Sequence, residues 1–489
     1  MIRALPVTAM VMALCACAAV GPDYHRPAEA SINKPGANGA FVSGDEATYS
    51  TAPIVGDWWR LYHDPALNAL VQQALIANTD LRVAAANIAR AQAGVDLANA
   101  DRYPSSTVEA GASYGRPSAE EQLIPGGRPL PDEATYDAGL SISYQLDLFG
   151  QISRALESAN ANRDAAQAAY EATRITVVAE TTRAYVEACS AGREYLVAQR
   201  LLGVQHKSTA ITERLLQGGR ANRVDVARSL TQEEQVRATL PSLQARKRVA
   251  LFRLVAMLGR TPKEIPEAAE TCVQEPHLSQ PIPIGDGTAL LRRRPDVRRA
   301  EYELHMATAE IGVATADLYP KVTLGAAGGS AGLVDNFGKG DTYKYSLGPL
   351  ISWEFPNRIR AHARIKSAQA EADAAYARFD GTVLGALRET ESALSVYARD
   401  LDHRAMLESA RSNAAQAASD TEELYRLGRE AFLPVLDADR TLISTEQAVA
   451  SADSKLASDQ VSLFLALGGG WEDAQHAVTT RVVARTGAP

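Results

Sequence analysis

Apolar and polar side chains alternate along the stretch SISYQLDLFG, residues 141–150. The apolar positions are Ile142, Tyr144, Leu146 and Leu148, and the polar positions between them are Ser141, Ser143, Gln145 and Asp147. Because successive side chains of a β-strand point to opposite faces, this pattern predicts a strand with one apolar and one polar face. Most of the remaining chain is rich in alanine and other strong helix formers, so the fold depends on what this strand does among long helices.

Three further stretches have strand character, and the last of them alternates in the same way. The four predicted strands span residues 104–115, 137–148, 320–330 and 343–355. In the last strand, Tyr345, Leu347, Ile351, Trp353 and Phe355 lie on one face, and Lys344, Ser346, Ser352 and Glu354 lie on the other. Strands of about ten to twelve residues with two unlike faces are typical of a transmembrane barrel. The alternative is a soluble four-stranded sheet whose apolar face packs on the helices.

Four strands are too few to close a barrel. The open edges of such a sheet would leave backbone N–H and C=O groups unpaired in hydrocarbon, which costs several kcal/mol for each group. Two copies of the chain would give about eight strands, whose side chains largely fill the interior, whereas three copies would give about twelve and leave a lumen. A chain of this kind that conducts a solute is therefore expected to form a homotrimer.

The chain contains two copies of one plan. The segment ANADRYPSSTVEAG (98–111) aligns with ATADLYPKVTLGAA (314–327), and GGRANRVDVARSL (218–230) aligns with GREAFLPVLDADRTL (428–442). Each copy predicts a helix, two strands, a very long helix, a glycine turn and a return helix. In the first copy the helix before the strands is predicted over residues 66–100. A long helix over 152–215 would extend for about 95 Å, more than a globular domain needs.

The N-terminus, MIRALPVTAMVMALCAC, has one arginine followed by an apolar run that is too short to span a bilayer. This pattern predicts an export signal. The end of the run, LCAC, resembles a lipoprotein cleavage box in which residues 1–16 are removed and Cys17 is acylated. Cys15 fits the box less well because Leu14 directly precedes it, and a plain secretory signal is the alternative. No later segment has about 18 consecutive apolar residues, so we expect no membrane-spanning helix.

Two cysteines remain in the exported chain, Cys189 and Cys272. In an oxidising envelope compartment they can form a disulfide or stay as two reduced, buried thiols, and their spacing does not decide between the two states. The disulfide is therefore a hypothesis at this point.

Charge and composition argue against several classes of function. The net charge is −8 and no basic patch stands out, which argues against a nucleic-acid partner. The eight histidines do not cluster at metal-ligand spacing, and the sequence has no convincing phosphate loop or nucleophile–base pair. We predict that the protein is not an enzyme, with no catalytic residue, no metal and no cofactor other than a covalent lipid on Cys17.

Several spaced blocks resemble one family. They are VGPDYHRP (20–27), WWRLYHDPALNALVQQALIANTDLRVAAANIARAQA (58–93), LLRRRPDVRRAE (290–301), IGVATADLYPKVTLGAAG (311–328) and LFLALGGGW (463–471). They are similar to the outer-membrane efflux lipoproteins of the OprM/NodT branch of the TolC-like outer membrane factor family, and the similarity extends from Cys17 to about Trp471. It implies a mainly α-helical, duplicated protomer. Three protomers would form a twelve-stranded β-barrel in the outer membrane and a twelve-helix α-barrel in the periplasm.

The resemblance also implies how the chain is divided and what it assembles with. The expected segments are a lipoprotein signal peptide (1–16), a lipidated extended segment (17–57), a first efflux repeat (58–260), a linker (261–288), a second efflux repeat (289–470) and a C-terminal tail (471–489). The expected partners are two further copies of the chain, a periplasmic adaptor protein, an inner-membrane pump of the RND type and outer-membrane lipid.

The implied function is a passive exit duct in the outer membrane for drugs or other small toxic compounds. Two alternatives within the family are an exit duct for type I protein secretion and one for metal-ion efflux. A structural envelope lipoprotein that does not conduct is an alternative of a different class.

The turn before the last helix is the expected gate. Leu433, Asp437 and Arg440 are spaced by four and three residues, so they lie on one helix face. By resemblance they match the family's periplasmic aperture, where leucine and aspartate rings narrow the pore and an arginine pairs across subunits. Tyr425 is a further gating candidate, and the recurring D-x-x-R pattern makes Asp225 and Arg228 the first-repeat counterparts. The alternative is an ordinary surface pair between neighbouring turns of one helix.

Overall fold

The computed structural model describes residues 19–44, 48–116, 118, 130–278, 280–353 and 358–469. The predicted signal peptide, the acylation candidate Cys17, the end of the fourth predicted strand (354–355) and the C-terminal tail lie outside the described residues. Within the described part, no helix is both long enough and apolar enough to cross a membrane.

Helices make up most of the described chain. They are α1 (Pro65–Ala77), α2 (Thr79–Ala100), α3 (Gln151–Gln217), α4 (Arg223–Met257), α5 (Glu267–Glu270), α6 (Gly287–Arg293), α7 (Pro295–Ala316), α8 (Arg358–Arg426) and α9 (Phe432–Ala466). Single 3-10 turns cover Ser31–Asn33, Pro35–Ala37, Trp58–Tyr62, Val334–Asn336 and Gly340–Thr342. The two long helices, α3 and α8, have 67 and 69 residues and occupy equivalent places in the two sequence copies.

The first predicted helix, over 66–100, is wrong in one respect, because the chain breaks it at Asn78. The backbone there is extended, and the Asn78 side chain accepts hydrogen bonds from the backbone N–H groups of Asp80 (2.8 Å) and Leu81 (3.2 Å). Asn78 thus ends α1 and caps α2. Its side-chain amide also donates to the carbonyl of Met257 at 3.1 Å, which fixes the break against the end of α4.

The strands form a two-stranded and a four-stranded sheet. Strands β1 (Tyr49–Ser50) and β4 (Ile282–Pro283) pair in parallel. Strands β2 (Ser105–Gly115), β3 (Glu133–Leu146), β5 (Lys321–Leu333) and β6 (Tyr343–Ser352) form an antiparallel sheet in the order β2-β3-β5-β6. In the described part of the chain, β2 and β6 each pair on one side only, so both edges of this sheet are open.

The predicted second strand, 137–148, begins too late and ends too late. β3 starts at Glu133, opposite Gly115, and stops at Leu146. The reason for the early end is Asp147, whose carboxylate accepts hydrogen bonds from the backbone N–H groups of Ile152 (2.9 Å) and Ser153 (2.8 Å). The last polar position of the quoted alternation therefore starts α3 instead of continuing the strand.

The register of the sheet separates two faces. On the polar face lie Ser105, Thr107, Glu109, Ser113, Thr135, Asp137, Ser141, Ser143, Gln145, Thr323, Lys344, Ser346 and Ser352. On the apolar face lie Val108, Ala110, Tyr114, Tyr136, Leu140, Ile142, Tyr144, Val322, Leu324, Tyr343, Tyr345, Leu347 and Ile351. The alternation predicted for the second and fourth strands is therefore present in β3 and β6, whereas β5 has mostly glycine and alanine on both faces, and Leu333 and Leu350 lie on the polar face.

The chain divides into two compact units, and each contains parts of both sequence copies. One unit has the residues up to Pro27, Ile88–Ala166 and Ala300–Phe379, and it holds the four-stranded sheet. The other has Ala28–Asn87, Gln167–Arg299 and the residues from Asp380 onward. The main core lies in this second unit, where the fully buried Trp58 stacks on Phe464 with ring centroids 4.6 Å apart.

Cys189 and Cys272 are joined by a disulfide. Cys189 is fully buried on α3, and Cys272 lies in the connection between the two copies, just after α5. Arg193, one turn further along α3, forms a 2.8 Å ion pair with the buried carboxylate of Glu275 in the same connection. The connection is therefore tied to α3 covalently and electrostatically.

We expect Cys272→Ser to lower the urea midpoint of the detergent-solubilised protein, followed by circular dichroism without reductant. The bond closes a loop with a sequence separation of 83 residues, for which the chain-entropy argument gives about 4.5 kcal/mol. The exposed neighbour Val273 supplies the control, because Val273→Ala leaves the bond intact and should leave the midpoint unchanged. Equal midpoints for Cys272→Ser and the parent protein would show that the bond contributes nothing measurable.

Candidate functional site

A groove of about 620 Å³ lies where the first-copy turn and the second-copy turn bring their return helices together. Its lining residues are Gln205, Arg228, Ser229, Thr231, Gln232, Gln235, Leu433, Pro434, Leu436, Asp437 and Arg440. Four residues singled out by sequence, Arg228, Leu433, Asp437 and Arg440, are therefore brought to one place. Asp225 and Tyr425 do not line it.

Two glycine turns, one after each long helix, position the groove residues of α4 and α9. α3 ends at Gln217 and α8 at Arg426, and each is followed two positions later by a glycine with positive φ, Gly219 (68°) and Gly428 (69°). The backbone N–H of Arg220 donates to the carbonyl of Leu215 at 2.7 Å, and that of Arg429 donates to Leu424 at 2.9 Å. Both long helices thus stop with the left-handed glycine cap that the sequence predicted.

On α9 the groove residues lie on an exposed face. The Leu433 side chain is 54% exposed even though it is apolar, and Asp437 and Arg440 are exposed as well. Among the described residues, neither Asp437 nor Arg440 forms an ion pair, so this face has an unpaired carboxylate and an unpaired guanidinium. Val435, on the opposite side of the helix, is buried and holds α9 in place, and Leu436 is a buried residue in the wall of the groove.

The two D-x-x-R copies differ in their place on the helix. Asp225 follows Gly219 by six positions, and Asp437 follows Gly428 by nine. Asp225 is consequently in the first turn of α4 and forms a capping box with Asn222. Its N–H donates to the Asn222 side chain at 2.9 Å, and its carboxylate accepts from the Asn222 N–H at 3.3 Å. Asp437 is about one turn further from its helix start, so it faces the groove.

Tyr425 packs inside its own turn. Its ring lies 5.2 Å from the ring of Phe432, the first residue of α9, at an interplanar angle of 53°. This contact joins the end of α8 to the start of α9. Tyr425 therefore supports the turn that presents Leu433 and does not itself reach the groove.

The wall of the groove on the α3–α4 side is held by buried polar groups. The Gln205 side chain donates to the Ser229 carbonyl at 3.3 Å, and the Thr209 and Ser229 hydroxyls lie 3.0 Å apart. One turn along α4, the buried carboxylate of Glu233 lies 3.1 Å from the His206 ring and 2.6 Å from Arg237. Burial opposes the charge on Glu233, but hydrogen bonds from His206 and Thr209 lower its pKa overall.

Sequence reasoning missed two residues near the groove. Asn222 is one, and the Asn-x-x-Asp spacing at 222–225 was available as a capping signal. Asp439 is the other, because only the packing of α9 against α8 shows that it is half-buried. Burial raises the pKa of Asp439, and the nearby negative charge of Glu422 on α8 raises it further.

The described residues contain no group of three or more histidine, cysteine, aspartate or glutamate side chains that could hold a metal ion. The groove instead combines an exposed leucine, one carboxylate and two guanidinium groups on paired helices. Such a surface is suited to contact with other protein chains.

The two-faced sheet with open edges, the two very long helices and their glycine turns define a class, the outer-membrane channels that extend into the periplasm. Comparison with known proteins supports this class. A family model described as Outer membrane efflux protein matches residues 70–260 and 288–469. The chain belongs to the outer membrane efflux protein family, and it is an outer-membrane protein of efflux and not an enzyme.

Individual relatives match along nearly their whole length. The outer membrane protein OprJ of Pseudomonas aeruginosa is 29% identical over 484 residues, covering 98% of this chain and 98% of OprJ. The probable outer membrane lipoprotein SilC of Salmonella typhimurium is 27% identical over 469 residues, covering 94% of this chain and 97% of SilC. The solved structure of the outer-membrane channel OprN is 35% identical with a TM-score of 0.85, covering 93% of this chain and 99% of that one.

We expect Asp439→Asn to raise the thermal midpoint of the purified protein near neutral pH. A carboxyl whose pKa is raised in the folded state stabilises that state most at pH values below its unfolded pKa, and this contribution is lost as the pH rises through the raised value. The asparagine carries no charge, so the gain over the parent protein should shrink as the pH falls to about 4. The matched control is Glu423→Gln on the exposed face of α8. A gain of the same size at both pH values would contradict the electrostatic cause.

Proposed function

We propose that three copies of this chain form the exit duct of a tripartite efflux system. It would carry drugs or other small toxic compounds that an inner-membrane pump delivers through a periplasmic adaptor. The observation that carries the proposal is the four-stranded sheet, with one apolar face, one polar face and two open edges. In hydrocarbon such a sheet needs strands from other chains on both edges, and three copies supply the smallest closure that leaves a lumen.

In the closed barrel of about twelve strands, the apolar face contacts lipid and the polar face lines the lumen. The long helices of the three copies continue the duct into the periplasm. In this assignment, residues 58–260 and 289–470 are the two efflux repeats, joined by the linker 261–288 that the disulfide fastens to α3.

The groove at the helix turns is the periplasmic gate. Three Leu433 side chains would form an apolar constriction, and three Asp437 carboxylates would form a negative ring that attracts cations. Arg440 supplies the cation that links the tips of neighbouring copies. The exposure of all three side chains, and the absence of an ion pair to Asp437 or Arg440 within the described part of one chain, support contacts with another subunit.

Acylation of Cys17 would give the chain a second attachment to the outer membrane. The cleavage box supports this assignment, and a relative that covers nearly the whole chain, SilC, is named as a probable outer membrane lipoprotein. The lipid would act as an anchor and not as a cofactor of any reaction.

The gate predicts a change in conductance. Asp437→Ala combined with Arg440→Ala should raise the single-channel conductance of purified trimers in planar bilayers severalfold, because the links between neighbouring tips are lost. The control removes the same two charges from the exposed pair Arg399–Asp402 on α8, whose atoms lie 2.7 Å apart. This double alanine variant should conduct like the parent protein.

Three results would contradict the proposal at different levels. Unchanged conductance in the Asp437 and Arg440 double variant would remove these residues from the gate. Trimers that never conduct would instead favour a structural envelope lipoprotein, and stably folded single subunits in detergent would contradict the trimer itself.

The lipid assignment predicts that Cys17→Ser abolishes incorporation of labelled palmitate into the protein and leaves an unprocessed precursor. Cys15→Ser is the matched control and should be labelled and processed normally. Loss of label in Cys15→Ser alone would move the acylation site, and label in neither the variants nor the parent protein would favour a plain secretory signal.

A further inference from the structure

A mixed charge cluster lies on the polar face of the four-stranded sheet, far from the groove residues in sequence. It consists of Glu109 on β2, Asp137 on β3 and Lys344 on β6. The register places Glu109 opposite Gly139, Gly139 opposite Gly329 and Gly329 opposite Lys344. One row across the sheet therefore has a carboxylate at one edge, an ammonium group at the other and two glycines between them.

The two glycines make room for this cluster. They form the floor of a depression of about 310 Å³ whose rim includes the hydroxyl residues Thr107, Ser141 and Ser346. A Cβ atom on Gly329 would come within 2.5 Å of the Ala138 carbonyl oxygen, so glycine is required there. Because no side chain rises from Gly329, Lys344 reaches over β5 and forms an ion pair with Asp137.

The charges of the cluster stay accessible. The side chains of Asp137 and Lys344 are 56% and 57% exposed, so their ion pair is a weak surface pair. Glu109 has no ion-pair partner among the described residues. In this cluster each copy therefore presents two carboxylates for one ammonium group on the polar face of the sheet.

We propose that this cluster is a second charge-selective zone, inside the barrel, which favours cationic solutes and in which Lys344 limits that preference. The proposal rests on the proposed function, because only a closed barrel turns the polar face into the wall of a lumen. Three copies bring the cluster around one pore with an excess of negative charge, which concentrates cations and cationic compounds at the wall and depletes anions.

The size of the effect follows from Coulomb's law and screening. One unit charge at roughly 12 Å in water changes the local concentration of a monovalent ion by about twofold. At about 0.01 M salt the Debye length is about 30 Å, so wall charges act across the lumen, whereas at about 1 M it falls to about 3 Å and the effect is lost. The selectivity of the cluster is therefore a low-salt property.

The experiment measures reversal potentials across planar bilayers in a KCl gradient at low salt. The background is the protein with Asp437→Ala and Arg440→Ala, so that the gate does not limit the current. Lys344→Gln removes a charge that acts on cations and anions in opposite senses, so it should raise the cation-to-anion permeability ratio by about fourfold or more, and Lys344→Glu should raise it further. Glu109→Gln and Asp137→Asn should each lower the ratio by about the same factor. Concentrated KCl should abolish all of these differences.

The control is Lys263→Gln, which removes an exposed lysine of the linker outside the sheet and should leave the ratio unchanged. Channels that conduct with one and the same reversal potential in all sheet variants would overturn the charge-selective zone while leaving the exit duct intact. Folded trimers that pass no current in the gate-disrupted background would overturn the exit duct, and the selective zone with it.

Discussion

A strand edge in hydrocarbon cannot leave its N–H and C=O groups without partners, and this constraint governs the rest of the molecule. The four-stranded sheet has two such edges, β2 and β6. These two edge strands also have large apolar side chains on the apolar face of the sheet, namely Val108, Tyr114, Leu347 and Ile351. In water an open edge is solvated, but in a bilayer each unpaired group costs several kcal/mol. In the proposed trimer, membrane location and association with other copies would therefore be two aspects of one requirement, and the lumen would be its geometric consequence.

The strands could be predicted because apolar and polar side chains alternate along β3 and β6, as they do in a strand whose two faces meet different surroundings. Their ends could not be predicted in this way. Asp147 continues the alternation of polar residues, yet its carboxylate accepts hydrogen bonds from the first turn of α3 and caps that helix. A capping residue indicates the start of a helix more strongly than one further polar residue indicates the continuation of a strand. Asn78 has the same effect in the first predicted helix, since its side chain caps α2 and anchors to Met257.

The residues of the candidate site could be predicted from the sequence, but their positions in the fold could be predicted only in part. Leu433, Asp437 and Arg440 follow from helical spacing and family resemblance, but Asp225 matches the same pattern and lies elsewhere. The three additional residues between Gly428 and Asp437 move that aspartate from a capping position to the groove, and a motif alignment does not show this shift. The half-burial of Asp439 and the pairing of Cys189 with Cys272 depend on contacts between segments distant in sequence, which spacing cannot supply.

The distribution of buried side chains in the second compact unit indicates which part of it is able to move. The core around Trp58, Leu254 and Phe464 contains many fully buried residues and includes the disulfide-linked Cys189. Towards the turns, the separate cluster of buried apolar residues consists of Leu201, Val236 and Ile443, with two partly buried neighbours. Segments with little buried apolar surface open at the lowest free energy. In the proposed trimer, tip contacts that exposed side chains such as Leu433 and Arg440 form and release would therefore be able to change the position of the turns without unfolding the core that holds the long helices.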